Sequence, residues 1–292
     1  MSRPNSPRIP SAAFGLYDRY AHGQIDRRQF MSGLARLAVG GLTATALFEA
    51  LMPDYAQAQQ VSFTDPAIRA RYLVFDSPDG HGQGRGYRVE PTGEVLGRVL
   101  VVHENRGLNP YIEDVARRLA KAGFVAFAPD ALASLGGYPG NDDDGRALQQ
   151  QLETDNILAD FTAAARLLDQ PGQGIGVIGF CFGGFVANTL AARLPESVRA
   201  AVPFYGLPPD LSRVSDIKGA LLIQLAEQDE RVNSAWPAYR EALQAGGIEF
   251  EMHQYAGTQH GFHNDSTPRY HPEAAELAWS RTLAFLRTRL TA

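Results

Sequence analysis

The chain has 292 residues, 45% of them hydrophobic, which is enough for one large domain with a substantial core. Its 27 basic and 32 acidic residues net to −5, and no basic stripe with interleaved aromatics is present, which argues against nucleic acid as a partner. A single cysteine rules out an intrachain disulfide or a cysteine-rich metal site, and the 7 histidines show no metal-ligand spacing, so neither cofactor nor metal is expected.

Residues 1–58 read differently from the rest. Asp26-Arg27-Arg28-Gln29-Phe30-Met31 looks like a twin-arginine export motif, and an uncharged stretch from Leu37 to Phe48 follows it. Ala56-Gln57-Ala58 then offers a small-x-small cleavage site. The expectation is a removable leader, the twin-arginine machinery as a partner, a periplasmic or other extracytoplasmic mature chain, and no contribution of residues 1–58 to its fold. The apolar stretch is too short to span a bilayer. A surface helix with two adjacent arginines is the alternative.

Residues 59–292 are expected to form one domain. From Ile68 onward strand and helix patterns alternate, which predicts a mostly parallel sheet with helices on both faces. Arg71 to Phe75 and Gly86 to Val89 form an initial strand pair around a Gly-rich turn. Arg98 to His103 is a buried central strand. Asn109 caps a helix with Pro110 at its first position and Ile112, Val115 and Leu119 inward, and Gly123 ends it. Phe124 to Ala128 is a strand, Ala131 to Asp144 a loop, and Arg146 to Leu168 one long helix. Strands follow at Ile175 to Ile178, Ala200 to Tyr205, Ala220 to Leu225 and Ile248 to Tyr255. Helices cover Phe185 to Arg193, Ala235 to Ala245 and a last segment from Pro272, with Leu277, Thr282 and Phe285 near one face.

The most informative stretch is Gly179-Phe180-Cys181-Phe182-Gly183-Gly184, which places the cysteine where a strand turns sharply into a helix. That is the geometry of a nucleophile elbow, with glycines where side chains would collide. A helix N-terminus favours thiolate over thiol. Two later strand ends carry Glu227-Gln228-Asp229-Glu230-Arg231 and Gln259-His260-Gly261-Phe262-His263, giving the order nucleophile, acid, histidine of α/β-hydrolases. In that scheme His260 takes the thiol proton and returns it to the leaving oxygen, and Asp229 holds the imidazole tautomer. Asp229 is preferred to Glu227 and Glu230 by its place in the loop, and His260 to His263 by its flanking glycine. The loop His103-Glu104-Asn105-Arg106-Gly107 follows the central strand, so the oxyanion-hole N–H groups are those of Asn105 and Phe182. Glu104 is then either a functional switch or an ion-pair partner of Arg106 or another arginine.

Together with Ala128-Pro129-Asp130 and Pro203-Phe204-Tyr205-Gly206, these motifs resemble the dienelactone hydrolase (carboxymethylenebutenolidase-like) family over Ile68 to Leu290. The resemblance implies an α/β-hydrolase fold and a Cys-His-Asp triad on Cys181, His260 and Asp229. It implies a Glu104 that pairs with the resting thiol and helps deprotonate it when substrate binds. It also implies hydrolysis of a small-molecule ester or lactone. One carboxylate-binding arginine of the family corresponds to Asn264 here, and another falls near Asp142 to Arg146. Arg106, Tyr205, His263 and Asn264 are candidate substrate contacts. The competing expectations are an exported binding protein with a structural or redox thiol, or a hydrolase of thioesters and other activated acyl bonds.

Overall fold

The computed structural model describes residues 9–38, 43–56 and 58–291. Three helices come first: α1 (Ser11–Ala21), α2 (Arg27–Leu37) and α3 (Ala44–Leu51). The remainder runs β1 (Ile68–Ser77), β2 (Gly82–Pro91), β3 (Gly97–Val102), α4 (Pro110–Lys121), β4 (Phe124–Asp130), α5 (Asp142–Gln149) and α6 (Thr154–Leu168). Then come β5 (Ile175–Phe180), α7 (Phe182–Arg193), β6 (Val198–Phe204), β7 (Ala220–Gln228), α8 (Glu230–Asn233), α9 (Trp236–Ala245), β8 (Phe250–Gln259) and α10 (Pro272–Leu290).

The strands form an 8-stranded sheet in the order β1-β2-β4-β3-β5-β6-β7-β8. The β1–β2 and β2–β4 pairs are antiparallel, and all others are parallel. Alternation along β3 divides the core. Val99 and Val101 face α4 and α10, whereas Leu100 and Val102 face α6, α7 and α9. Helix α4 forms as expected: the Asn109 side chain accepts from the Ile112 N–H, Pro110 occupies the first turn, and Ile112, Val115 and Leu119 are fully buried.

Two readings of helices are corrected. The expected single helix from Arg146 is two helices, broken between Gln149 and Thr154. Helix α5 is pulled onto the loop after β3, because Asp142 pairs with Arg106 at 2.6 Å and Gly145 abuts the Arg106 carbonyl so closely that a Cβ would lie 2.3 Å from it. In α10, Leu277 faces solvent, while Ala274, Ala278, Thr282 and Leu286 are buried. Small residues let this helix lie close against the sheet.

The described part of the first 58 residues packs into a small core of its own. Helices α1 to α3 share a core built on Tyr17, Tyr20, Phe30, Leu34, Leu47 and Leu51. Asp26 caps α2 in a reciprocal capping box with Gln29, which places Arg27 and Arg28 in the first turn, and Phe30 is fully buried. Several residues of the export pattern thus have structural uses here. The start of the expected leader (residues 1–8), the middle of its apolar stretch (residues 39–42) and Gln57 of the expected cleavage site lie outside the described residues. Among the described residues, no helix is long and apolar enough to cross a membrane.

Candidate active site

Four loops at the carboxyl ends of parallel strands meet over the middle of the sheet, where open α/β sheets bind ligands. They follow β3, β5, β7 and β8. Cys181 stands between β5 and α7 at φ 55° and ψ −112°, a conformation L-residues rarely adopt. The turn depends on its glycines. A Cβ on Gly179 would lie 1.8 Å from the Gly183 carbonyl oxygen, and one on Gly183 would lie 2.3 Å from that of Val102. The Cys181 N–H donates to the Phe204 carbonyl at 3.0 Å, which ties the corner to β6.

The sequence-predicted acid and base arrive from β7 and β8. Asp229 caps the short α8 by accepting from the Val232 N–H, and its other oxygen accepts from His260 Nδ1 at 2.6 Å. His260 Nε2 is buried without a hydrogen-bond partner and points into the site. Tyr205 lies against the imidazole, ring centroids 5.0 Å apart, and braces it from the sheet side. Burial disfavours a charged His260, but the Asp229 carboxylate and the Cys181 sulfur outweigh it and lift the ring to about 10. Burial likewise pushes the Cys181 thiol up, and His260 and then His22 more than reverse this, taking it well below its ordinary value. Asp229 is held low by His260 against its own burial.

His22 is the residue that sequence reading missed. It ends α1, and its Nε2 lies 3.3 Å from Cys181 Sγ. The donor atoms of His22, Cys181 and His260 all fall within 4.8 Å of one another. That spacing is close enough for a soft metal ion. However, the Arg231 guanidinium lies 2.8 Å from the same His22 nitrogen, and a fixed cation there opposes a second one. The arrangement suits proton exchange better.

A cavity of about 330 Å³ opens onto the sulfur, lined by His22, Asn105, Cys181, Phe182, Phe185 and Arg231 among others. Asn105 and Phe182 therefore border the cavity as expected of an oxyanion hole. Phe182 is the first residue of α7, so its N–H has no partner within the helix. The Asn105 side chain donates to the Ala21 carbonyl at 2.7 Å, which anchors the end of α1.

Glu104 is buried and accepts from Asn264 Nδ2 at 3.2 Å. Burial raises its carboxyl, Arg106 partly opposes this, and the nearby thiolate adds to it. Arg106 does not form the envisaged ion pair with Glu104, because its guanidinium is taken by Asp142. The four candidate substrate contacts have other employment. Arg106 holds α5, Tyr205 backs His260, and Asn264 links Glu104 to Ser266. His263 bonds the Tyr111 hydroxyl at 2.6 Å and is kept neutral, pushed down to about 3 by burial and then by Arg118. None of the four lines the cavity, and all are buried among the loops beneath it. The cation that does line it is Arg231, whose signal in the sequence is only its place two residues after Asp229.

Comparison with known proteins gives the family. The model of the dienelactone hydrolase family matches residues 85–290, and a YqhI-like family model matches residues 1–40. This chain belongs to the dienelactone hydrolase family. It is 34% identical over 235 residues to a Bradyrhizobium protein named "Probable 2-oxo-3-(5-oxofuran-2-ylidene)propanoate lactonase", an alignment covering 72% of this chain and 92% of the other. It is 32% identical over 237 residues to a Synechocystis protein named "Putative carboxymethylenebutenolidase", covering 73% and 95%. The crystal structure of a Klebsiella pneumoniae protein named "Putative Dienelactone Hydrolase" superposes with a TM-score of 0.64 at 25% identity, covering 75% of this chain and 98% of that one. The expectations of an α/β-hydrolase fold and of a hydrolase acting on lactone or ester bonds are met.

Proposed function

We propose that the enzyme opens activated esters, enol lactones above all, through a thioester on Cys181 with His260 and Asp229 completing a Cys-His-Asp triad. The observation that carries this reading is the convergence at the elbow: a sulfur at a strained corner, within 4.8 Å of a histidine whose far nitrogen is fixed by a carboxylate at 2.6 Å. The His260 imidazolium protonates the departing oxygen. The neutral ring then draws a proton from the water that cleaves the thioester. The N–H groups of Asn105 and Phe182 receive the developing oxyanion.

Leaving-group chemistry selects the substrate. A tetrahedral adduct expels its better leaving group, so against an alkoxide the thiolate itself departs and the reaction reverses. An enolate or phenolate departs ahead of the thiolate. The compound in the Bradyrhizobium relative's printed name is a lactone of this activated kind that also bears a carboxylate. Here the carboxylate finds Arg231, the cation on the cavity wall. A substrate panel tests the reading: enol lactones and aryl esters should turn over far faster than matched alkyl esters, and faster alkyl-ester turnover would reject it.

A further inference from the structure

The N-terminal helices bring a second imidazole to the sulfur. His22 Nδ1 lies 2.8 Å from the Asp18 carbonyl oxygen, which can only accept, so Nδ1 carries the hydrogen. The Asp18 carboxylate stands 3.3 Å from the same nitrogen. Nε2 is therefore a lone pair in the neutral ring, and it faces Cys181 Sγ at 3.3 Å and Arg231 Nη2 at 2.8 Å. A guanidinium only donates, which agrees with that tautomer. The two histidines meet edge to face at 4.9 Å, so Asp18–His22 and Asp229–His260 flank the sulfur as two acid–imidazole pairs.

This placement is built into the fold. Asn105 and Arg146 donate to the carbonyls of Ala21 and Tyr20, the last residues before His22. The Arg146 guanidinium lies 3.9 Å over the Tyr20 ring, and those of Arg269 and Arg106 cover Tyr17 at 4.8 and 5.7 Å. Arg27 reaches Asp143 at 3.0 Å. Such contacts to both partners of a short segment fix it in position rather than merely rest it on a surface.

We propose that His22 is a catalytic residue of this enzyme, taking the proton of the Cys181 thiol, so that the N-terminal helices complete the active site. The inference rests on Cys181 being the nucleophile. The leaving oxygen needs the proton that His260 holds, and His22 Nε2, 3.3 Å from the sulfur, offers the thiol a second acceptor. Burial disfavours a charged His22, but the Cys181 sulfur and the Asp18 pairing outweigh it and raise the ring above its ordinary value. The S–H bond breaks, and an N–H bond forms at His22 Nε2. The thiolate adds to the carbonyl carbon, the ester C–O bond breaks, and the leaving oxygen takes its proton from His260. Water then cleaves the thioester with neutral His260 as base, and the released thiolate recovers its proton from His22. The sum is one ester and one water giving one acid and one alcohol. Arg231 must let go of Nε2 as that nitrogen is protonated, which frees its donors to face the cavity.

The groups that act on the sulfur directly are His22 from the end of α1, His260 after β8 and Glu104 after β3; the charged groups behind them are Asp18 on α1, Asp229 and Arg231 after β7, Arg269 after β8 and Arg106 after β3. The test uses the full chain and the pH dependence of Cys181 alkylation by iodoacetamide, alongside the pH profile of kcat/KM. Gln can bond the sulfur but cannot take its proton. In H22Q the alkylation midpoint should rise by about one pH unit, and kcat/KM should fall about tenfold below that midpoint while converging with wild type at high pH. A midpoint that does not move, or an equal loss at every pH, would overturn the proposal. Should H22Q fail to fold, D18N keeps the imidazole and removes the carboxylate beside it; a smaller rise is expected, and no rise overturns the proposal. A mature form that begins after Ala58 and titrates like the full chain would overturn it as well. C181A run in parallel separates the two readings: if it still hydrolyses substrate, the nucleophile assignment itself has failed.

Discussion

His260 Nδ1 lies 2.6 Å from Asp229 Oδ2, and both side chains are almost wholly screened from solvent. A short charge-assisted bond in so dry a place fixes which imidazole nitrogen is free to meet the sulfur. Asn in place of Asp229 keeps the shape but can donate to Nδ1 and so favour the wrong tautomer. D229N should therefore lower kcat by roughly 10²- to 10⁴-fold while leaving KM within a few-fold. Steady-state kinetics on the folded variant checks this. An unchanged kcat would remove Asp229 from the chemistry.

Arg231 is expected to read the charge of the substrate. Its Nε is buried without a partner, and its guanidinium edges the cavity. Losing a hydrogen-bonded charge contact costs about 1.5–3 kcal/mol, roughly ten- to a hundred-fold in affinity. R231Q should raise KM by that factor for a lactone bearing a carboxylate and by much less for the neutral methyl ester of the same compound. Equal effects on both would show that Arg231 does not hold the carboxylate.

The buried pair Arg106–Asp142 is expected to matter for stability rather than turnover. Both side chains are nearly inaccessible, and their contact seats α5 against the loop after β3. Removing one partner of such a pair strands the other charge, at a cost of about 3–5 kcal/mol. D142A should lower the denaturation midpoint accordingly. A midpoint like that of wild type would show that the guanidinium finds another partner.

His263 makes stability depend on acid. Its folded-state value is pushed down to about 3, against 6.5 for the free group. Between those values the unfolded chain binds a proton that the native ring refuses, so stability rises with pH across the window and is lost as pH falls from 6.5 toward 3. The slope is about 1.4 kcal/mol per pH unit. Urea unfolding at pH 6.5 and 4.5 should differ by about 2 kcal/mol, the slope integrated over those two units, and by less in H263Q. Identical slopes in the two proteins would place the acid sensitivity elsewhere.

Much of the site was legible because its signals are local. Cys181, Asp229 and His260 each follow a strand, and a strand end with its glycines is written in a few consecutive residues. The missed features come from contacts between distant parts of the chain. The break between α5 and α6 carries no proline or glycine at the break itself, and it arises because Arg106 and the Gly145 backbone draw α5 away. His22 is 159 residues from Cys181 in sequence, and no short motif links them. The paired arginines Arg27 and Arg28 also fit two readings, a leader and the first turn of a capped helix. Intact-mass and N-terminal sequencing of protein isolated from cell fractions decides between them: a start after Ala58 follows from the leader, and a retained Tyr17 to His22 segment follows from the docked helices.

The most direct test of the nucleophile is to mix the enzyme with an enol lactone, quench within the first turnover, and weigh the protein. Ring opening leaves the whole lactone attached, so the expected result is a mass increase equal to that of the substrate, mapped to the peptide containing Cys181, formed no more slowly than turnover and absent from C181A. Steady turnover with no adduct on Cys181, or hydrolysis by C181A at the wild-type rate, would contradict a thioester mechanism.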